Sequence, residues 1–172
     1  MGLLFAVTAV LPTSSEAHGP TRQKVTQKIE INAPLEKVWA VIGNYQDMSW
    51  HPAVTKTEGE GGNEPPATRT LTLDGGATIK EILDRYSAEN HMYKYRITEV
   101  AVEVLPVTNY SSTLSAEGAD GKTTVTWRGA FYRGYPNNDP PENLNDAAAI
   151  KAVTGVYEAG LKALKASLEA GG

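Results

Sequence analysis

The chain has 172 residues, of which 41% are hydrophobic and 21% charged, a composition typical of one globular domain with a buried core. Its 16 Lys and Arg against 20 Asp and Glu give a formal net charge of -4, which argues against a nucleic-acid or anionic-membrane partner. The sequence has no cysteine, which excludes disulfides, a cysteine-linked lipid anchor and cysteine-held metal or haem.

The first residues are predicted to form an export signal. Residues 3–11 (LLFAVTAVL) are apolar apart from one Thr and too short to span a bilayer. Ser15 and Ala17 are the small residues that a signal peptidase requires for a cut before His18. No positive charge precedes the apolar run, which indicates a start further upstream; an apolar strand or buried helix is the alternative. We expect a signal peptide at 1–17, one domain at 18–172 and a periplasmic location.

The next segments alternate and then change period. Hydrophobic and polar residues alternate over 24–32, which predicts a half-buried strand. Residues 35–45 repeat at helical spacing after Pro34, which predicts a short amphipathic helix ending at Gly43.

Strand-like runs separated by short turns rich in Gly, Asp and Asn occupy the middle of the chain, which predicts an antiparallel meander. The predicted strands are Val54 to Glu60, Thr68 to Leu73, Thr78 to Tyr86, Met92 to Val100, Asn109 to Glu117 and Lys122 to Gly134.

A long C-terminal helix follows. Asp139, Pro140 and Glu142 resemble a capping box, so the helix is expected to begin at Pro140 and to run for about 30 residues, or roughly 45 Å. Its predicted apolar face comprises Ile150, Val153, Tyr157, Leu161, Leu164 and Leu168. Together these elements predict an α+β fold in which a curved seven-stranded antiparallel sheet grips the long helix and leaves a cavity between them.

At this point the sequence resembles the START/Bet v 1-like (SRPBCC) superfamily, in its polyketide cyclase/dehydrase and lipid-transport branch. The resemblance rests on INAPLEKVWAVIGNYQDMSWHPAV, TRTLTLDGGATIKEIL, YKYRITE, LPVTNYSSTLSAE and GKTTVTWRGAFYR, which are spread along the chain. The resemblance implies the same helix-grip fold. It leaves function open, because this fold supports many unrelated activities.

A narrower resemblance, which combines this pattern with the signal-like leader, is to the MxaD family of periplasmic accessory proteins in methanol oxidation. It implies a non-catalytic protein that assists electron transfer from a quinoprotein methanol or alcohol dehydrogenase to its cytochrome c. Two alternatives stay open: a binding or transport protein for a small hydrophobic or aromatic ligand, and a polyketide cyclase-like enzyme. No cofactor and no metal are expected.

Strand alternation predicts which side chains face the cavity. Aromatic residues converge from three strands and from the segment after the first helix, and they are expected either to line the cavity or to fill the core. The candidate aromatic wall comprises Trp50, Tyr93, Tyr95, Tyr110, Trp127 and Phe131.

The turn Asp74-Gly75-Gly76 also sets a strand register. It places Leu71 opposite Ile79 and Arg69 opposite Glu81, with both charged side chains facing inward. An inward Arg requires a partner, and the cross-strand carboxylate provides one. The pair is interpreted either as an anchor for a polar ligand group or as a structural ion pair.

His51 follows the first helix in the stretch SWHP, where helix-grip folds open their cavity. A general base would need an orienting carboxylate and a bound substrate, and a metal ligand would need companions that His18 and His91 do not provide at suitable spacing. We therefore expect Trp50 and His51 to be pocket-mouth residues that bind a ligand, or interface residues, and we assign no catalytic role. Under the cyclase-like alternative, His51 or Glu81 would be the base.

Overall fold

The computed structural model describes residues 19–170. The predicted signal peptide at 1–17 and His18 lie outside the described residues. The elements, in chain order, are β1 (Gln23–Ile31), α1 (Leu35–Ile42), β2 (Val54–Glu60), β3 (Thr68–Leu73), β4 (Thr78–Ser87), β5 (Met92–Val100), β6 (Val107–Ala119), β7 (Lys122–Arg133), a 3-10 turn (Glu142–Leu144) and α2 (Asp146–Ala170).

The strands form one antiparallel sheet in the order β1-β7-β6-β5-β4-β3-β2. The middle of the chain is therefore a meander, as predicted, and β1 returns to pair with the last strand. Bulges interrupt the register in four places, two of them between β4 and β5, and such irregularities bend and twist a sheet. The sheet curves around α2, which confirms the helix-grip architecture.

The core lies between the concave face of the sheet and α2. Inward positions are buried in strict alternation along β7 and from Tyr110 to Ala116 of β6, as the sequence predicts. Val153, Tyr157, Leu161, Leu164 and Leu168 of α2 are buried against them. None of the helices described within residues 19–170 is both long and apolar enough to cross a membrane.

The start of the long helix differs from the prediction. Residues 142–144 form a separate 3-10 turn, and Asp139 has a left-handed backbone (φ 53°), so the expected capping box does not form. Instead, the Asn145 side chain accepts a hydrogen bond from the Ala148 N–H at 2.9 Å and caps a helix of 25 residues, or about 38 Å. The expected apolar position Ile150 is exposed, and Ala149 is buried in its place.

Candidate functional site

A cavity of about 90 Å³ lies between the sheet, α2 and the segment after α1. Ala53 and Val156 on its wall are exposed and Val104 is half-buried, so the cavity opens to solvent on their side. Most of the wall is apolar. The lining comprises Met48, His51, Ala53, Val54, Leu71, Leu73, Ile79, Glu81, Tyr95, Ile97, Val104, Leu105, Tyr110, Trp127 and Val156.

The structure brings five of the sequence-predicted site residues together on this wall, and four others lie behind it. The five on the wall are His51, Glu81, Tyr95, Tyr110 and Trp127. Arg69, Tyr93 and Phe131 are buried in the core, and Trp50 is half-buried with its ring 5.5 Å from the Trp127 ring. These four residues support the wall from outside the cavity, whose surface they do not form.

The predicted register between β3 and β4 is confirmed, because Arg69 pairs with Glu81 and Leu71 with Ile79. Arg69 Nε donates to Glu81 Oε2 at 2.6 Å, and Arg69 Nη1 donates to the Tyr45 carbonyl at 2.7 Å. The guanidinium lies 4.2 Å from the Tyr45 ring centroid and 5.2 Å from that of Tyr95. Arg69 is thus fixed by an ion pair, a carbonyl and two aromatic faces.

Both members of this pair are nearly inaccessible to solvent, with Arg69 at 1% and Glu81 at 5% exposure. Burial raises the pKa of the Glu81 carboxyl, and the Arg69 charge opposes that shift. Burial disfavours the charged guanidinium, but the Glu81 carboxylate holds the pKa of Arg69 above its ordinary value. Because Arg69 stays protonated at a contact of 2.6 Å, we treat the pair as ionised.

A chain of hydroxyl groups runs from the cavity towards β7. Trp127 Nε1 donates to the Tyr95 hydroxyl at 3.1 Å, and the Tyr110 hydroxyl contacts that of Tyr157. The Tyr157 hydroxyl lies 2.9 Å from Ser112 Oγ, which donates to the Arg128 carbonyl. Burial raises the pKa of Tyr95 and of Tyr110 well above the ordinary value, so both remain neutral phenols.

His51 connects the segment after α1 to α2. Its Nδ1 accepts a hydrogen bond from the Ala53 N–H at 3.2 Å, so Nε2 carries the proton and donates to the Val156 carbonyl at 2.9 Å. Both ring nitrogens are therefore engaged, and the imidazole presents its ring to the cavity. This arrangement gives His51 the wall position that the sequence predicts at the cavity mouth.

The contacts of His51 predict a specific pH dependence of stability. Burial lowers the pKa of His51 below the ordinary 6.5. As pH falls through about 6.5, the unfolded chain gains a proton at this ring before the folded protein does, so the folded state loses stability. Chemical denaturation between pH 7 and about 5 should show this loss, at up to about 1.4 kcal/mol per pH unit, and a His51→Gln variant should lack that part of the slope.

A His91→Gln variant, measured in parallel, changes the other histidine among residues 19–170, which is half-buried and contacts the exposed Glu36 at 3.4 Å. Equal slopes in wild type and His51→Gln would contradict the assignment of this pH dependence to His51.

Sequence reasoning missed the role of two glycines that set the site geometry. A Cβ on Gly129 would lie 2.2 Å from the Tyr157 hydroxyl, and a Cβ on Gly160 would lie 2.5 Å from His51 Cδ2. A glycine inside a strand is a signal of close approach by another group, and Gly129 in β7 carried that signal. Gly160 in α2 became interpretable only with His51 beside it.

Residues 19–170 contain no group of three or more histidine, aspartate or glutamate side chains placed to hold a metal ion. The site is thus defined by an apolar cavity, one buried ion pair and a set of neutral hydroxyls. Together with the curved sheet and its long C-terminal helix, this arrangement places the protein in the class of helix-grip proteins.

Comparison with known families agrees with this class. Residues 22–169 match the family described as polyketide cyclase / dehydrase and lipid transport, and the chain belongs to that family. No curated protein matches the chain.

Three solved structures illustrate the relationship. An uncharacterized protein from Bacillus thuringiensis is 31% identical, with 85% of this chain and 98% of that chain covered and a TM-score of 0.72. The protein XoxI from Bacillus cereus is 30% identical, with 84% and 94% covered and a TM-score of 0.71. The Zhui aromatase/cyclase from Streptomyces sp. R1128 is 19% identical, with 87% and 95% covered and a TM-score of 0.65, and it shares the fold.

Proposed function

We propose that the protein binds a small, largely apolar ligand in the cavity between the sheet and α2. The observation that carries this proposal is an apolar cavity that opens to solvent and holds one carboxylate on its wall. A mostly apolar pocket with a few placed polar groups is the usual form of a small-molecule site. The family description includes lipid transport, which agrees with binding of an apolar molecule in this fold, although the cavity of this protein is too small for a lipid chain.

The size of the cavity limits the ligand. A volume of about 90 Å³ is below the roughly 150 Å³ of an apolar cavity that holds benzene. A one-ring ligand is therefore slightly larger than the enclosed space. It is expected to bind with part of it in the mouth beside Val156. A polyketide or a lipid chain exceeds the space, since pockets for larger ligands measure roughly 300–1,000 Å³.

A cyclase-like reaction with His51 or Glu81 as the base is the alternative, and the contacts of both residues favour binding instead. Both nitrogens of His51 are engaged by backbone groups, so its ring has no free lone pair for a substrate proton. Glu81 has a permanent partner, because Arg69 Nε donates to its Oε2 at 2.6 Å.

The test uses the three tryptophans as reporters. Trp127 lines the cavity, and the Trp50 ring packs against the Trp127 ring. Trp39 packs instead against Tyr86 and His91. Addition of one-ring compounds, beginning with toluene and benzyl alcohol, should shift the indole N–H signal of Trp127 in a two-dimensional NMR spectrum and leave that of Trp39 in place. Saturable shifts would support binding.

A wall variant provides the control. Leu73→Phe adds volume at a half-buried wall position and should weaken the shifts. Ile29 of β1 is also half-buried but does not line the cavity, so Ile29→Phe should leave the NMR shifts unchanged. Signals that do not move up to the solubility limit of the compounds, or that move equally in both variants, would exclude this cavity as the site.

The accessory role in methanol oxidation is a separate proposal that rests on the narrower sequence resemblance. It requires a surface complementary to a dehydrogenase or a cytochrome, and transient redox encounters of this kind are small and steered by charge. A saturable, salt-sensitive increase in electron transfer from methanol dehydrogenase to its cytochrome c on addition of the protein would support it. An unchanged rate at every concentration would exclude the role in that system.

A further inference from the structure

The direction of the hydroxyl chain determines which proton remains available to a ligand. Ser112 Oγ donates to the Arg128 carbonyl, so it accepts from Tyr157. Tyr157 therefore accepts from Tyr110. The Tyr95 oxygen accepts from Trp127 Nε1, and among residues 19–170 its own proton has only the Tyr110 oxygen within reach, at 3.5 Å. That distance is too long for a good O–H donor bond, so the Tyr95 hydroxyl is free to donate into the cavity.

Glu81 provides the matching acceptor. Its Oε2 is occupied by Arg69, and no hydrogen bond to Oε1 forms within residues 19–170. Among the described residues that line the cavity, Glu81 is the one with a charged side chain, because Arg69 lies behind the wall. Glu81 and the Tyr95 ring both lie beside the Arg69 guanidinium, and both residues line the cavity. The cavity wall therefore carries one free acceptor and one free donor.

The charge on this wall restricts the ligand further. An anionic ligand would meet the Glu81 carboxylate, while the compensating Arg69 is out of reach behind Tyr95. A cationic ligand would lose its hydration in an apolar cavity, and the Arg69 charge 2.6 Å from Glu81 would offset part of its attraction to the carboxylate. A neutral group that both donates and accepts a hydrogen bond avoids both costs.

We propose that the cavity selects a neutral one-ring alcohol or phenol, whose hydroxyl donates to Glu81 Oε1 and accepts from Tyr95. This inference rests on the proposed function and specifies its ligand class. The Arg69 side chain then acts as a positioning residue, because it holds Glu81 in place without touching the ligand.

The test compares four compounds that share one ring and one side-chain carbon: benzyl alcohol, benzylamine, benzoate and toluene. At neutral pH they are neutral with a hydroxyl, cationic, anionic and neutral without a polar group. Binding measured by the Trp127 indole signal should be tightest for benzyl alcohol. A hydrogen bond to a charged acceptor predicts an advantage of roughly tenfold over toluene, with benzoate the weakest.

Two variants test the named groups. Tyr95→Phe should reduce the preference for benzyl alcohol over toluene several-fold. Because a single change at Glu81 leaves Arg69 unpaired and can unfold the protein, the second variant is Arg69→Met with Glu81→Leu. It should lose the preference for benzyl alcohol over toluene, because the ligand hydroxyl no longer meets a carboxylate.

The outcomes separate the two proposals. Binding of toluene or benzoate in preference to benzyl alcohol would overturn the ligand class and leave the binding function standing. Binding of none of the four compounds would overturn both. An unchanged preference for benzyl alcohol in both variants would overturn the assignment to Glu81 and Tyr95.

Discussion

Arg69→Met or Glu81→Leu alone is expected to lower the free energy of unfolding by about 3–5 kcal/mol, because each leaves a buried charge without its partner. The double variant should lose markedly less than the sum, since no uncompensated charge remains and the replacements are apolar. Urea denaturation of the wild type, both single variants and the double variant gives the coupling between the two residues.

An exposed cross-strand ion pair on β4 and β5 offers a matched control. Lys80 on β4 and Glu99 on β5 form a cross-strand pair at 2.8 Å with half or more of each side chain exposed. Lys80→Met should stay within the roughly 0–1 kcal/mol typical of exposed pairs. A double variant at Arg69 and Glu81 as unstable as the summed single variants would show that burial of the ion pair is not what makes the single changes costly.

Two glycines of α2 are expected to respond in opposite directions to the same substitution. Gly160→Ala places its Cβ 2.5 Å from His51 Cδ2 and 3.0 Å from Trp127 Cζ3. His51 has no room to yield, since both its nitrogens are hydrogen-bonded, and Trp127 is stacked on Tyr157 with ring centroids 4.4 Å apart. Overpacking of this kind costs roughly 1–3 kcal/mol, in spite of the better helix propensity of alanine.

Gly155→Ala is the control on the same helix. A Cβ there has no heavy atom within 4 Å, so the substitution should stabilise the protein by up to about 1 kcal/mol. Thermal or urea denaturation of both variants tests the contrast. A Gly160→Ala protein that is stabilised and whose Trp127 indole signal is unshifted would contradict the close contact between α2 and His51.

Much of the fold was predictable because its signals are local. The bounds predicted for β2, β3 and β5 match the structure, since alternation and turn residues specify a strand over a few positions. The hairpin turn at 74–76 set the pairing of Arg69 with Glu81. A shift of the register by one residue would have turned every side chain of the strand to the opposite face of the sheet.

The errors arose where distant residues decide. The long helix begins at Asp146 because the chain first forms a 3-10 turn beside β7, where the Gly134 backbone approaches Pro106 and Leu144. The contact of Gly134 with Pro106 joins residues far apart in the chain, so a local capping pattern could not predict it. β6 also begins at Val107, earlier than predicted, because its left-handed Asn109 forms a bulge within the strand.

The candidate site shows the same division. Alternation correctly placed Tyr93, Tyr95 and Phe131 on inward faces, and all three are buried. Of these, only Tyr95 reaches the cavity, because the others lie where neighbouring side chains fill the space. The same holds for the ion pair, in which Glu81 forms part of the wall and Arg69 does not.

The sequence by itself therefore determined the order of elements, the sheet register and the inward faces, because strand and helix periods are properties of neighbouring residues. Only the tertiary structure decided where the cavity lies, which tautomer His51 adopts and which hydroxyl proton stays free. Those features depend on the distance between the sheet and α2, and that distance is set by contacts such as Gly129 with Tyr157 and Gly160 with His51, between residues far apart in the chain.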